Sequence, residues 1–155
     1  MEARSLQSLI EIAVANEEAA RIFYLGLADA VEDIVARETL HFLAGEESTH
    51  KEFLLAYLKG DKKFASLPLD EPIDYHIAQY ATIPDIKKNM NSSEVYLVAA
   101  HREWNSYHFY KELAAVQPAG EAREMLLKMA NQELKHKEKV EYLYSNTSFP
   151  QTAGG

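Results

Sequence analysis

Two short runs of this chain carry residue types that bind metal ions. Ala44 to Glu52 reads A-G-E-E-S-T-H-K-E and Ala130 to Glu138 reads A-N-Q-E-L-K-H-K-E. Each holds a Glu-x-x-His: Glu47 with His50, and Glu133 with His136. On a helix, residues three apart share a face, so each pair presents a carboxylate beside an imidazole. Oxygen and nitrogen donors without sulfur suit iron or manganese, and zinc is also admissible. A lone Glu-x-x-His is weak evidence, because charged pairs at this spacing are common on helix surfaces. Here the two motifs lie 86 residues apart, and the same offset relates much more of the chain.

The offset maps Ala13 onto Ala99, Glu17 onto Glu103, Phe23-Tyr24 onto Phe109-Tyr110, and Leu27-Ala28 onto Leu113-Ala114. It also maps Ala36-Arg37-Glu38 onto Ala122-Arg123-Glu124, and Leu40 onto Leu126. An ungapped register of this kind marks two copies of one helical hairpin, each contributing a Glu and then a Glu-x-x-His.

The elements that must position these residues follow from apolar periodicity. A first helix is expected from about Ser5 to Ala30, with Leu6, Ile10, Ala13, Glu17, Ala20, Tyr24, Leu27 and Val31 stepping alternately by four and three. A second, about Asp33 to Lys59, carries Ala36, Leu40, Leu43, Glu47, His50, Leu54 and Tyr57, and Gly60 closes it. The short link between them makes antiparallel neighbours. Periodicity fails over residues 61–91, where Pro68, Pro72 and Pro84 break any long helix and Ile73 to Tyr80 leave room for one or two turns. A connection this long fits a crossover that returns the chain along the bundle. His76 within it is expected to face solvent or make a hydrogen bond. Asn91-Ser-Ser-Glu94 reads as a capping box opening a third helix, whose stripe is Tyr96, Ala99, Glu103, Ser106, Tyr110 and Leu113. After a turn at Gln117 to Gly120, a fourth helix carries Ala122, Leu126, Met129, Glu133, His136, Val140 and Leu143. Residues 145–155 are expected to form a flexible tail. The architecture is all-α: one four-helix-bundle domain over residues 1–155, built from two antiparallel hairpins joined by a long crossover.

All four stripes point at one axis, so Glu17, Glu47, Glu103, Glu133, His50 and His136 would meet in the core. Burying an unpaired carboxylate costs several kcal/mol or forces it to take a proton. Four together are worse, since like charges raise one another's pKa. The stripes offer no Lys or Arg, whereas two divalent cations would neutralise the four carboxylates. The other histidines, His41, His101 and His108, lie off the stripes and read as surface or packing residues. Glu18, Glu46, Glu52 and Glu138 adjoin the candidates, but a rotation of about 100° per residue turns them toward solvent. Tyr24 and Tyr110 each follow a candidate Glu by seven residues on the same face. Two roles stand for them: core packing, or a hydroxyl bonded to a ligand carboxylate.

Composition narrows the remaining possibilities. A formal net charge of −8 argues against nucleic acid or an anionic membrane as partner. The absence of cysteine excludes disulfides, iron–sulfur clusters and a rubredoxin-type iron site. The sequence offers no apolar leader and no run of membrane-spanning length, so a cytoplasmic location is expected.

With these motifs the chain resembles the ferritin-like superfamily of di-iron carboxylate proteins, and within it the rubrerythrin group, from about Leu6 to Tyr144. The resemblance implies two iron ions bridged by Glu47 and Glu133. Glu17 and His50 would complete the shell of one, Glu103 and His136 that of the other. It implies an oxidoreductase that transfers two electrons to hydrogen peroxide or dioxygen, or alternatively an iron-binding, ferroxidase or metal-sensing protein. Two features depart from the group. No rubredoxin-type cysteines are present, so an external electron donor is implied, and Ser106 stands where rubrerythrins carry a further Glu. Related proteins commonly form homodimers, which is the expected assembly here.

Overall fold

The computed structural model describes residues 5–61 and 72–148. Pro68, the start of the crossover and the end of the expected tail lie outside the described residues. Four helices follow in order: α1 (Leu6–Ala30), α2 (Ile34–Leu58), α3 (Ser92–Ala115) and α4 (Glu121–Ser148). There is no strand among the described residues, and no helix is long and apolar enough to cross a membrane.

Local chemistry sets the helix starts. The Ser5 side chain accepts the Ser8 N–H at 3.2 Å, and Asp33 accepts that of Ala36 at 2.8 Å. Both satisfy amides that a helix leaves unpaired at its first turn. Asn91 and Glu94 form the expected reciprocal box, each side chain accepting the other's backbone N–H. The bend between α1 and α2 is fixed by Arg37, whose guanidinium donates to the carbonyls of Ala28 at 3.2 Å and Val31 at 2.6 Å. These carbonyls at the end of α1 have no helical partner, so a cation there is favourable.

The tightest pairings are α1 with α2 and α3 with α4, the two hairpins of the repeat. Their stripes build two apolar clusters. One gathers Tyr24, Leu27, Val31, Leu40, Leu43, Val95, Val98 and Val140. The other gathers Leu9, Ile10, Leu54, Tyr57, Tyr110, Met125, Leu126 and Met129. On every helix the polar stripe residues fall between the two clusters, so the polar layer has an apolar core above and below it.

Some local expectations differ from what is observed. Leu6 is 38% exposed rather than buried, because it opens α1 beyond the reach of the other helices. The stretch Ile73 to Tyr80 makes one turn, within the one or two expected, in which the Ile77 carbonyl accepts the N–H groups of Tyr80 and Ala81. Helix α4 runs to Ser148, with Thr147 Oγ1 donating to the Leu143 carbonyl, so the expected tail begins as helix. No residue between Ser145 and Ser148 breaks a helix; the next breaker in the sequence is Pro150.

The crossover is docked on α4 by a buried charge cluster absent from the expected core. Lys137 is fully buried, and its Nζ donates to Asp74 at 2.6 Å and to Glu141 at 2.7 Å. The second oxygen of Glu141, itself fully buried, accepts the N–H groups of Ile77 at 2.9 Å and Ala78 at 2.7 Å. The Lys137 ammonium also sits 5.0 Å from the centre of the Trp104 ring. Burial works to raise the Asp74 pKa, but Lys137 and the His76 N–H hold it below the ordinary carboxylate range. Glu138, expected in solvent, accepts the Ile73 N–H at 2.6 Å. His76 is exposed, hydrogen-bonded to Asp74 through its backbone, and in the left-handed region at φ 54°.

Candidate metal centre

The fold brings Glu47, His50, Glu133 and His136 together, with one donor atom from each lying within 4.8 Å of all the others. All four are buried. His50 Nδ1 lies 3.9 Å from Glu47 and 3.6 Å from Glu133, and His136 Nδ1 lies 3.3 Å from Glu47 and 3.8 Å from Glu133. Each of the two glutamates therefore reaches both imidazoles. The rings stack with centroids 5.1 Å apart and planes 7° from parallel.

Glu17 and Glu103 flank this group on α1 and α3, both buried. Glu17 is 3.6 Å from His50, and Glu103 is 3.6 Å from His136. The arrangement thus keeps the symmetry of the repeat, with an equivalent carboxylate at each imidazole. Among the described residues, the ion pairs these six make are with one another, and no Lys or Arg enters them.

Tyr24 and Tyr110 do more than fill the core. The Tyr24 hydroxyl donates to Glu103 Oε1 at 2.7 Å, and the Tyr110 hydroxyl donates to Glu17 Oε1 at 2.8 Å. Each bond crosses between hairpins, α1 to α3 and back. Burial and the nearby carboxylates push both phenols well above their ordinary pKa of 10.0, so both stay protonated donors. Tyr24→Phe and Tyr110→Phe should each lose about 1–3 kcal/mol, the cost of leaving a buried acceptor unsatisfied. Urea denaturation of the metal-free protein measures this, and unchanged midpoints would show the hydroxyls to be idle.

Electrostatics divides the four carboxylates into two kinds. Burial, with repulsion from Glu133 and Glu103, pushes Glu47 well above 4.5. Burial, with repulsion from Glu17 and Glu103, does the same to Glu133. Burial also works to raise Glu17, but the closeness of Glu47 and of the His50 ring outweighs it and brings Glu17 down to about 2. Burial is likewise overcome at Glu103, where the charge of His136, the closeness of Glu133 and the Tyr24 hydroxyl bring it to about 2. His136 is raised above 6.5, because the charge of Glu103 overrides burial. Without metal, the two central glutamates and His136 therefore hold protons more tightly than they would in water.

The donor atoms themselves test whether a metal fits. Both oxygens of Glu47 and of Glu133, one oxygen each of Glu17 and Glu103, and Nδ1 of His50 and His136 are buried with no hydrogen-bond partner. Orphaned buried polar atoms are rare in folded proteins. Here they are oxygen and nitrogen atoms converging on one region, where bound cations would satisfy them. On Glu17 and Glu103 the orphan is Oε2, the oxygen that the tyrosine leaves unbound. The group fits metal ions.

Reasoning from the stripes missed Asn16, whose amide donates to Ser106 Oγ at 3.0 Å. Its only signal was adjacency to Glu17. Glu18, adjacent on the other side, pairs with Arg21 at 2.6 Å and Lys51 at 3.2 Å outside the cluster. His41 and His108 are exposed and His101 half-buried, all apart from the cluster.

Comparison with curated proteins and with solved structures returns no match. A family model described as Rubrerythrin matches residues 8–145, a span that takes in both hairpins and the crossover between them. A match of that extent, over a bundle whose duplicated Glu-x-x-His pairs converge in its core, places the chain: it belongs to the rubrerythrin family.

Proposed function

We propose that this chain is a non-haem di-iron oxidoreductase that reduces hydrogen peroxide, or dioxygen, with electrons from an external donor. The observation that carries the reading is the inward shell of orphaned oxygen and nitrogen atoms, contributed by all six residues. Glu47 and Glu133 would bridge the two ions, with Glu17 and His50 completing one shell and Glu103 and His136 the other. Manganese or zinc would be accepted by the same donors. When bound, two ferrous ions supply the two electrons that, with two protons, convert one peroxide to two waters.

The chain's own residues prepare the site for this. Tyr24 and Tyr110 hold the outer carboxylates at one oxygen and so fix which oxygen faces the ions. The stacked imidazoles hold each other in place across α2 and α4. The apolar clusters above and below keep bulk water out, which strengthens every electrostatic interaction inside. No cysteine is present in this sequence to hold a rubredoxin-type iron, which supports an external donor.

One observation favours a second reading, iron handling or sensing without turnover: Ser106 supplies a hydroxyl where the family resemblance leads one to expect a further carboxylate. A single experiment separates the two. The protein is loaded anaerobically with ferrous iron and mixed with peroxide in a stopped-flow instrument, with and without a reductant. Fast oxidation of two irons per chain, repeated for as long as reductant lasts, is the expected result. Oxidation that occurs once and stops favours the second reading, and no fast two-iron oxidation removes the first.

A further inference from the structure

The register that relates the two halves also shows where they differ. One turn beyond Glu17 stands Ala20, and at the matching place beyond Glu103 stands Ser106. Both are 2% exposed. One residue before Glu17 stands Asn16, and its counterpart before Glu103 is Arg102. Asn16 turns inward and donates its amide to Ser106 Oγ at 3.0 Å. Arg102 turns outward and lies over the Phe23 ring, 5.8 Å from its centre. A polar pair therefore ties α1 to α3 beside the candidate ligands in one half, and the other half has none.

A serine hydroxyl offers one proton and two lone pairs. Asn16 occupies a lone pair, and the proton has no acceptor among the described residues. Hydroxyls on these helices commonly settle by donating to the carbonyl four residues back, as Thr39, Thr49 and Thr147 do. Ser106 does not. The stacked rings of His50 and His136 close the side of the cluster formed by α2 and α4. A small ligand is left the side of α1 and α3, where Ala20 and Ser106 are the small residues one turn beyond Glu17 and Glu103.

We infer that Ser106 binds the oxidant, donating its hydroxyl hydrogen to a small anion or peroxide at the metal pair, with Asn16 as the residue that positions it. The inference rests on the two-iron reading above. It makes the two halves of the site unequal, with the ligand drawn toward the half that holds the Asn16–Ser106 pair.

Azide is the probe, because it is small, anionic and accepts hydrogen bonds. Wild type, Ser106→Ala, Ser106→Thr and Asn16→Ala are loaded with iron, oxidised, checked for two irons per chain and titrated by the azide-to-iron charge-transfer band. Ser106→Ala should weaken azide binding about tenfold, the worth of one hydrogen bond to a charged partner. Ser106→Thr, which keeps the hydroxyl, should bind within about twofold of wild type, and Asn16→Ala should fall between. A merely structural pair would change folding stability and leave azide affinity alone. Wild-type affinity in Ser106→Ala at full iron loading overturns the inference and leaves the functional reading standing, as does a Ser106→Thr variant no better than Ser106→Ala. A wild-type protein that takes up no iron pair overturns both.

Discussion

Ferrous iron under anaerobic conditions, or zinc, is expected to raise the melting temperature of the metal-free protein by on the order of 20 °C at a thousandfold excess over Kd. Each filled site contributes about 4 kcal/mol at that excess. The rise should be larger at pH 8 than at pH 6, and the reason is a pair of opposing trends. Glu47 and Glu133 bind protons more tightly in the folded chain than at their ordinary value of 4.5. Above 4.5 the unfolded chain therefore holds fewer protons at these positions, and metal-free stability declines as pH rises. His136, raised above 6.5, acts in the same direction. Glu17 and Glu103, held at about 2, contribute stability present above 4.5 and lost as pH falls toward 2. The metal-free cluster is thus most favourable in mild acid. Metal must displace the protons on Glu47, Glu133 and His136, so its binding strengthens with pH. Glu133→Gln provides the control. It relieves the repulsion and should leave the metal-free protein at pH 8 as stable as wild type or more so, yet respond weakly to metal. Scanning calorimetry reads all of this; an equal rise at both pH values, or a wild-type response in Glu133→Gln, would refute the account.

Lys137→Ala should cost about 3–5 kcal/mol, the range for removing one partner from a buried ion pair. Glu141, fully buried, would keep its two backbone donors while losing the ammonium. Asp74 would lose the group that holds its pKa down. For a chain of this size the loss corresponds to a fall in melting temperature of roughly 10 °C or more. It should also be local: the amides of Ile77 and Ala78 should exchange faster with solvent than those of α1 and α2. A loss below about 1 kcal/mol, or uniform exchange, would show that the cluster does not hold the crossover.

The two substitutions also divide what was legible in the sequence from what was not. Glu17, Glu47, His50, Glu103, Glu133 and His136 were readable because each interrupts an apolar stripe, and the repeat states each interruption twice. Lys137 and Glu141 were not, although both are fully buried. They lie off the stripe of α4, on a flank that is covered only because the crossover packs there. The crossover has no periodicity, so nothing in its order of residues says which helix it will meet. The tyrosines stand between these cases. Spacing puts Tyr24 on the face of Glu17, but its hydroxyl bonds Glu103 on another helix. That exchange depends on how α1 packs against α3, which no pattern within either helix encodes.

The crossed tyrosine bonds carry a consequence for ancestry. Each hairpin completes its neighbour's carboxylate and leaves its own to be completed, so a free hairpin would need an identical mate. In such a pair of separate chains every substitution appears twice, once on each side of the dyad. Joining the two in one polypeptide removes that constraint, and an asparagine can then enter one side while an arginine takes the equivalent place on the other. Fusion in this protein is what allows a twofold frame to carry a polar pair on one side alone.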